Sequence, residues 1–303
     1  MTDRATVEQV VEGSMSWIGK NLSQFDPFKN GELSGLCEIP LSELAILTLS
    51  AQHCLGTVDP SVVARFLDSL EAANHSPTYR ERPFREPETM VPHLVVAAAL
   101  ERGGRLDGRE FRTSFERLVE VSSVTAPALP PHRMMELHHA LDLSGVNHRL
   151  PSYQMLYRRT MAAQPVNPIY VSRAESYVLT HVIFYAADLG HRPAEGISED
   201  EIKRLAKLVR SLLGMYIIAC DWDLTAELLL SAQCLRQPTR FDDLGWEALA
   251  SAQRPDGAVP GLRARLREDQ VTGSGMGAES EAESCYHTTL VSALAGLAVL
   301  SGR

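Results

Sequence analysis

Signals for β-strands are almost absent from this chain. No stretch sustains an alternation of apolar and polar residues, and no Asn-Gly or Asp-Gly pair joins two β-branched runs, so a sheet-based fold is excluded. Aromatic residues are few, at 6% of the chain, too few to line a large cavity with rings. Positive charge is also in deficit. The formal net charge of −9 argues against nucleic acid or an anionic membrane surface as a partner, since either would call for a basic patch. No uncharged apolar run reaches the roughly 18 residues that a membrane span needs. The opening residues, Met1-Thr2-Asp3-Arg4, lack the apolar core of a signal peptide, and a cytoplasmic protein is expected. The five cysteines (Cys37, Cys54, Cys220, Cys234 and Cys285) form an odd, scattered set with no CxxC pair, which points to reduced, mostly buried thiols.

What remains is ordinary globular composition: 303 residues, 45% hydrophobic and 22% charged. Helical periodicity recurs along the chain, punctuated by proline and glycine. Residues 6–22, 62–73, 109–121, 153–163, 198–217 and 242–252 each carry one apolar face. Each is followed by a stretch that is apolar nearly all round, at residues 41–52, 90–100, 134–141, 172–189, 221–230 and 286–297. A helix apolar on every side is normally buried. The spacing therefore predicts an all-α chain of six outer/inner helix pairs, an (α/α)6 toroid with a central cavity, built as a single domain over residues 1–303. A linear solenoid of the same pairs would need polar caps at both ends, and residues 289–300 stay apolar almost to the end of the chain.

Each inner helix carries a polar residue at or near its start: Glu43, His93, His138 or His139, His181, Glu227 and His287. They recur at intervals of roughly 40 to 60 residues, near the period of a helical-pair repeat. Buried polar groups are costly unless paired or functional, so these positions are expected to line the cavity, together with Tyr177, Cys285 and Tyr286. Of His138 and His139, only one can point inward, because adjacent helical positions face about 100° apart. The long segment 261–283, rich in glycine and charge, reads as a lid over the cavity mouth. The stretch 74–88, with Arg80, Arg82 and Arg85, reads as a polar loop at the rim.

Two segments carry a resemblance. Gln253-Arg254-Pro255-Asp256-Gly257 is similar to the Gln-x-x-Asp-Gly turn that closes repeats in the terpenoid-cyclase and protein-prenyltransferase toroids. Tyr286-His287-Thr288 resembles the start of the last inner helix of the prenyltransferase β subunit, where the histidine ligates zinc. That family's Asp-x-Cys ligand pair has its counterpart here in Asp221-Trp222-Asp223, with Asp223 in the place of the cysteine. The resemblance covers about the last quarter of the chain. It implies the toroid fold and a zinc site on Asp221, Asp223 and His287.

Two carboxylates and an imidazole suit zinc, iron or manganese, with Glu227, His181 or Cys285 as a further ligand. The same acids would also serve as helix N-caps, where the orphan amide groups favour negative charge. His181 and His287 suit general acid/base work, because imidazole titrates near neutrality, and Asp223 and Glu227 complete the expected catalytic set. Cys285 reads as a buried thiol or as a nucleophile at a helix start. The leading expectation is an enzyme of cyclase, lyase or hydrolase type acting on a small-molecule substrate, of the kind found in specialised metabolism, with a divalent metal such as zinc as a candidate cofactor. The alternatives are an isoprenoid-binding relative of the prenyltransferases and a non-catalytic interaction protein.

Overall fold

The structure is a computed structural model that describes residues 3–29, 31–33, 38–54, 56, 58–121, 129–262 and 284–302. The described residues are helical apart from loops and one two-stranded ribbon, in which Phe28–Lys29 (β1) pairs antiparallel with Glu32–Leu33 (β2). They form two compact units. One is built from residues 1–24, 165–194 and 198–303, the other from residues 25–164 and 195–197. Of the expected lid over residues 261–283, all but residues 261 and 262 lies outside the described residues.

The first unit contains α1 (Arg4–Lys20), α9 (Arg173–Ala187), α10 (Glu199–Ala219), α11 (Trp222–Cys234), α12 (Asp242–Ala252) and α13 (Tyr286–Leu300). Helices α9, α11 and α13 pack side by side in that order, with α10, α12 and α1 against them. Composition explains the division. On α10 the buried residues Leu205, Leu208, Val209, Leu212 and Leu213 follow the spacing of one helical stripe. On α13 nearly every residue from Thr288 to Leu300 is buried. Gly296 lets α1 approach α13 closely, since a Cβ there would stand 2.2 Å from Val11 Cγ2.

The second unit contains α2 (Glu38–His53), α3 (Pro60–His75), α4 (Pro77–Arg85), α5 (Met90–Arg102), α6 (Gly108–Val121), α7 (Pro131–Ser144) and the short α8 (Tyr153–Tyr157). Here α2, α5 and α7 pack in chain order. Two expectations need correction. The stretch 74–88 is not an open loop: it holds α4, which starts on Pro77 and tolerates Pro83 inside. Proline at the first helical turn costs no hydrogen bond, because those amides have no partner anyway. Two of its arginines are engaged, Arg85 with Glu81 at 2.6 Å and Arg82 with Glu86 at 3.0 Å. The expected helix over 153–163 ends at Tyr157, and a 3-10 turn at Met161–Ala163 follows.

Candidate functional site

The site is assembled by α9, α11 and α13, all within the first unit. Helix α10 ends at Cys220, whose φ of +51° lies in the left-handed region and turns the chain sharply into α11. Asp221 then caps α11, accepting from the Leu224 amide at 3.4 Å. Asp223 stands in the first turn of α11, where the helix dipole favours an acid. Glu227 follows one turn later on the same face. At α13, Thr289 Oγ1 accepts from the Val259 amide at 2.9 Å, and the Gly261 amide donates to the Ser284 carbonyl at 3.2 Å. These bonds fix the start of α13 and with it His287.

Three side chains converge. His287 Nε2 lies 3.4 Å from Asp223 Oδ1 and 3.5 Å from Glu227 Oε1. One ligand atom from each of Asp223, Glu227 and His287 lies within 4.8 Å of the other two. Glu227 is 1% exposed and Asp223 8%, whereas the side chains of His181 and His287 keep 36% and 34% of their surface open. The acids therefore sit below and the imidazoles form the accessible edge.

The surrounding shell separates the two acids. The Tyr177 hydroxyl donates to Asp223 Oδ2, and Arg173 Nη2 lies 3.4 Å from the same oxygen. Asp223 Oδ1 is buried and has no hydrogen bond among the described residues. Burial pushes the Asp223 carboxyl above the usual range, helped by the Glu227 charge and opposed by His287 and Tyr177. Burial would do the same to Glu227. There it is outweighed by His181, His287 and the hydroxyl of Thr180, which donates to Oε2, so Glu227 is held below its ordinary value. Their surroundings thus drive the two acids apart, Asp223 up and Glu227 down.

His181 sits beside this pair. Its Nδ1 is 2.8 Å from the Tyr177 carbonyl and 3.8 Å from Glu227 Oε2. A carbonyl can only accept, so in the neutral ring Nδ1 carries the proton and the lone pair lies on Nε2. That is the tautomer of a general base.

Asp221 departs from its expected role as a ligand. Arg173 grips it with two bonds, Nε to Oδ2 at 2.7 Å and Nη2 to Oδ1 at 3.3 Å, and Glu227 takes its place in the convergent set. Arg173 also lies over the Tyr177 ring, 4.8 Å from its centroid. Neither Arg173 nor Thr180 was legible as a site residue. The signal available for Arg173 was its position at the start of an inner helix. Cys285 is buried at the N-terminus of α13, with Arg254 Nη1 3.7 Å from its Sγ, and it lines a separate cavity of about 490 Å³ with Trp17 and Asn21. Tyr286 is half-buried next to His287, its ring centroid 6.2 Å from the imidazole.

Glu43, His93 and His139 belong to the second unit. Glu43 is half-buried on α2, and His139 is buried on α7. The neighbouring His138, rather than His139, joins a polar cluster. His138 Nδ1 and His148 Nε2 lie 3.2 and 3.1 Å from the two oxygens of Asp142, and the Tyr153 hydroxyl donates to it at 2.9 Å. Against the upward push of burial, these three donors hold Asp142 well below the usual carboxylate range. His148 Nδ1 accepts from the Leu150 amide, so its Nε2 carries a proton. This cluster satisfies itself.

The Gln-x-x-Asp-Gly segment ties α12 to the first helix. Gln253 Nε2 donates to the Val10 carbonyl at 3.0 Å and the Gly257 carbonyl at 3.1 Å. Gly257, with φ +99°, brings its Cα so close to Gly13 that a Cβ would stand 2.1 Å from the carbonyl oxygen.

Comparison with known proteins yields one match. No curated protein and no solved structure matches the chain. A family model described as Domain of unknown function (DUF6895) matches residues 11–297, and the chain belongs to that family.

Proposed function

We propose that this chain is a small-molecule-modifying enzyme of hydrolase or lyase type, with Asp223, Glu227 and His287 holding a divalent cation such as zinc and His181 acting as general base. One observation carries the reading. In a tetrahedral site with bonds of roughly 2.1 Å, neighbouring donors stand about 3.4 Å apart. The separations of His287 Nε2 from the two carboxylates are 3.4 and 3.5 Å, and the Asp223 oxygen concerned is the one left without a hydrogen bond. Two oxygens and one nitrogen suit zinc, iron or manganese and leave a position for substrate. Such an ion would supply Lewis-acid polarisation and would make a nearby water more acidic. The chain's own groups do the rest. Tyr177 and Arg173 orient Asp223, Thr180 orients Glu227, and His181 Nε2 stands ready to take a proton at the open edge.

The toroid is part of this proposal. Within each unit, consecutive inner helices pack in chain order, which supports a ring of six pairs and kinship with the terpenoid-cyclase and prenyltransferase toroids. A cytoplasmic setting is proposed with it.

Metal analysis of the purified protein tests the reading. About one equivalent of zinc, iron or manganese per chain is expected, lost on His287→Ala. Protein that carries none, and whose melting temperature does not respond to added zinc, would remove the metal. A second reading would then stand on the opposed carboxyls: Glu227 as base and Asp223 as acid, without metal.

A further inference from the structure

The second unit contains a cavity of about 280 Å³ between α4 and α6, closed at its floor by His93 of α5. Its walls include three phenylalanines. Phe111 stacks on Phe115 at 4.3 Å between centroids, and Phe84 meets Phe115 at 5.2 Å. Phe84 is 45% exposed, so much of its surface faces open space instead of packing. Both nitrogens of the His93 floor are turned to backbone carbonyls, of which a neutral ring can donate to only one. Its Nδ1 lies 3.0 Å from the Thr89 carbonyl, its Nε2 lies 2.9 Å from the Tyr79 carbonyl, and its ring stacks on Tyr79 at 4.1 Å. Burial, aided by the nearby Arg82 charge, outweighs the two carbonyls and pushes the ring's pKa down to about 4.

Charge at the rim decides what such a cavity accepts. Glu81 is neutralised by Arg85 at 2.6 Å. Asp107 caps the start of α6 through one oxygen, accepting from the Arg109 amide at 3.1 Å, and Glu110 has no ion-pair partner among the described residues. Apart from Glu81, the lining holds two carboxylates, Asp107 and Glu110, and one guanidinium, that of Arg80; the Arg112 guanidinium, bound to Glu101, also lies within the field of Asp107. Aromatic faces carry the negative end of the ring quadrupole and attract cations. The rings and the rim favour the same sign, and the floor does not oppose it.

We infer that this cavity binds a small organic ammonium ion, of about the size of choline, with its cationic head against Phe84, Phe111 and Phe115 and near Asp107 and Glu110. A carboxylate guest would meet both rim acids, and a neutral guest would forgo the attraction of the rings. This site is independent of the proposed enzymatic one.

The test is an NMR-detected titration of the full chain with choline and with dimethylbutanol, its neutral carbon isostere. Saturable choline binding is expected, at least about fivefold tighter than the isostere. Phe84→Ala and Glu110→Gln should each weaken it about fivefold. Both side chains are exposed, and unchanged circular dichroism would show that the fold survives. The inference is overturned by the absence of saturable binding, by equal binding of the isostere, by preferential binding of acetate, or by full binding in both variants.

Discussion

Asp223 and Glu227 lie one turn apart on α11, yet their surroundings drive the two carboxyls in opposite directions, Asp223 up and Glu227 down. Replacing each by its neutral amide should therefore have unequal effects. Asp223→Asn removes a charge that burial opposes and should leave the unfolding free energy within about 1 kcal/mol of wild type. Glu227→Gln removes a buried carboxylate that His181, His287 and Thr180 all address, and should cost about 2 kcal/mol. Urea denaturation at neutral pH measures both. Equal losses would contradict the division.

Arg173 is the cation that keeps buried Asp221 paired. Arg173→Ala should cost about 2 kcal/mol, less than a fully buried pair because the guanidinium is 41% exposed. Arg173→Lys should recover less than half of the loss, since a point charge cannot make both bonds or stack on Tyr177. Full recovery by lysine would reduce the role to simple charge.

Glu38 and His93 supply a pH test in the second unit. His93 Nε2 and Glu38 Oε1 are 3.8 Å apart, and that oxygen is buried with no hydrogen bond among the described residues. Burial raises Glu38 from 4.5 to about 7, against the pull of Arg82. A raised folded value means that its stability contribution is present below pH 4.5 and is lost as pH climbs toward 7. Burial lowers His93 from 6.5 to about 4, so its contribution is present above pH 6.5 and is lost as pH falls toward 4. Between those limits the two slopes oppose each other and wild-type stability should be nearly flat. Glu38→Gln leaves His93 alone, and its stability should rise by about 2 kcal/mol between pH 4.5 and 6.5. A flat profile in the variant would show that Glu38 does not titrate in this way.

Gly257 and Gly104 separate backbone strain from crowding. Both have positive φ, +99° and +69°, but only Gly257 stands against another backbone. Gly104→Ala should cost about 1 kcal/mol, and Gly257→Ala about 3 kcal/mol, because the Gly13 carbonyl cannot yield. Thermal unfolding of the two variants is the measurement.

The helices were legible because apolar residues at helical spacing must be buried, and α12 was placed at its observed bounds. The pairing of Asp223 with Glu227 could be read in principle from their spacing of four, and the polar start of α13 pointed to His287. What escaped depends on the chain meeting itself in space. Pro77 and Pro83 disguised α4, since proline is both a breaker and a first-turn residue. Nothing local marks Arg173 as the partner of Asp221, which lies 48 positions away, or Asp142 as the hub for His138, His148 and Tyr153. Glu38 gave no signal, because its neighbours are His93 of α5 and Arg82 of α4, far away in the chain.

The packing of α1 against α13 has a consequence for how the protein is made. Helix α1 leaves the ribosome before the second unit does, and α13 leaves only after it. The groove that α1 fills does not exist until α13 has been made. The second unit, drawn almost entirely from the residues in between, can close on itself first. Through that interval the apolar stripe of Val7, Val10, Val11 and Ile18 stays uncovered. Chaperone demand and aggregation during expression should therefore track that stripe more than the core of the second unit.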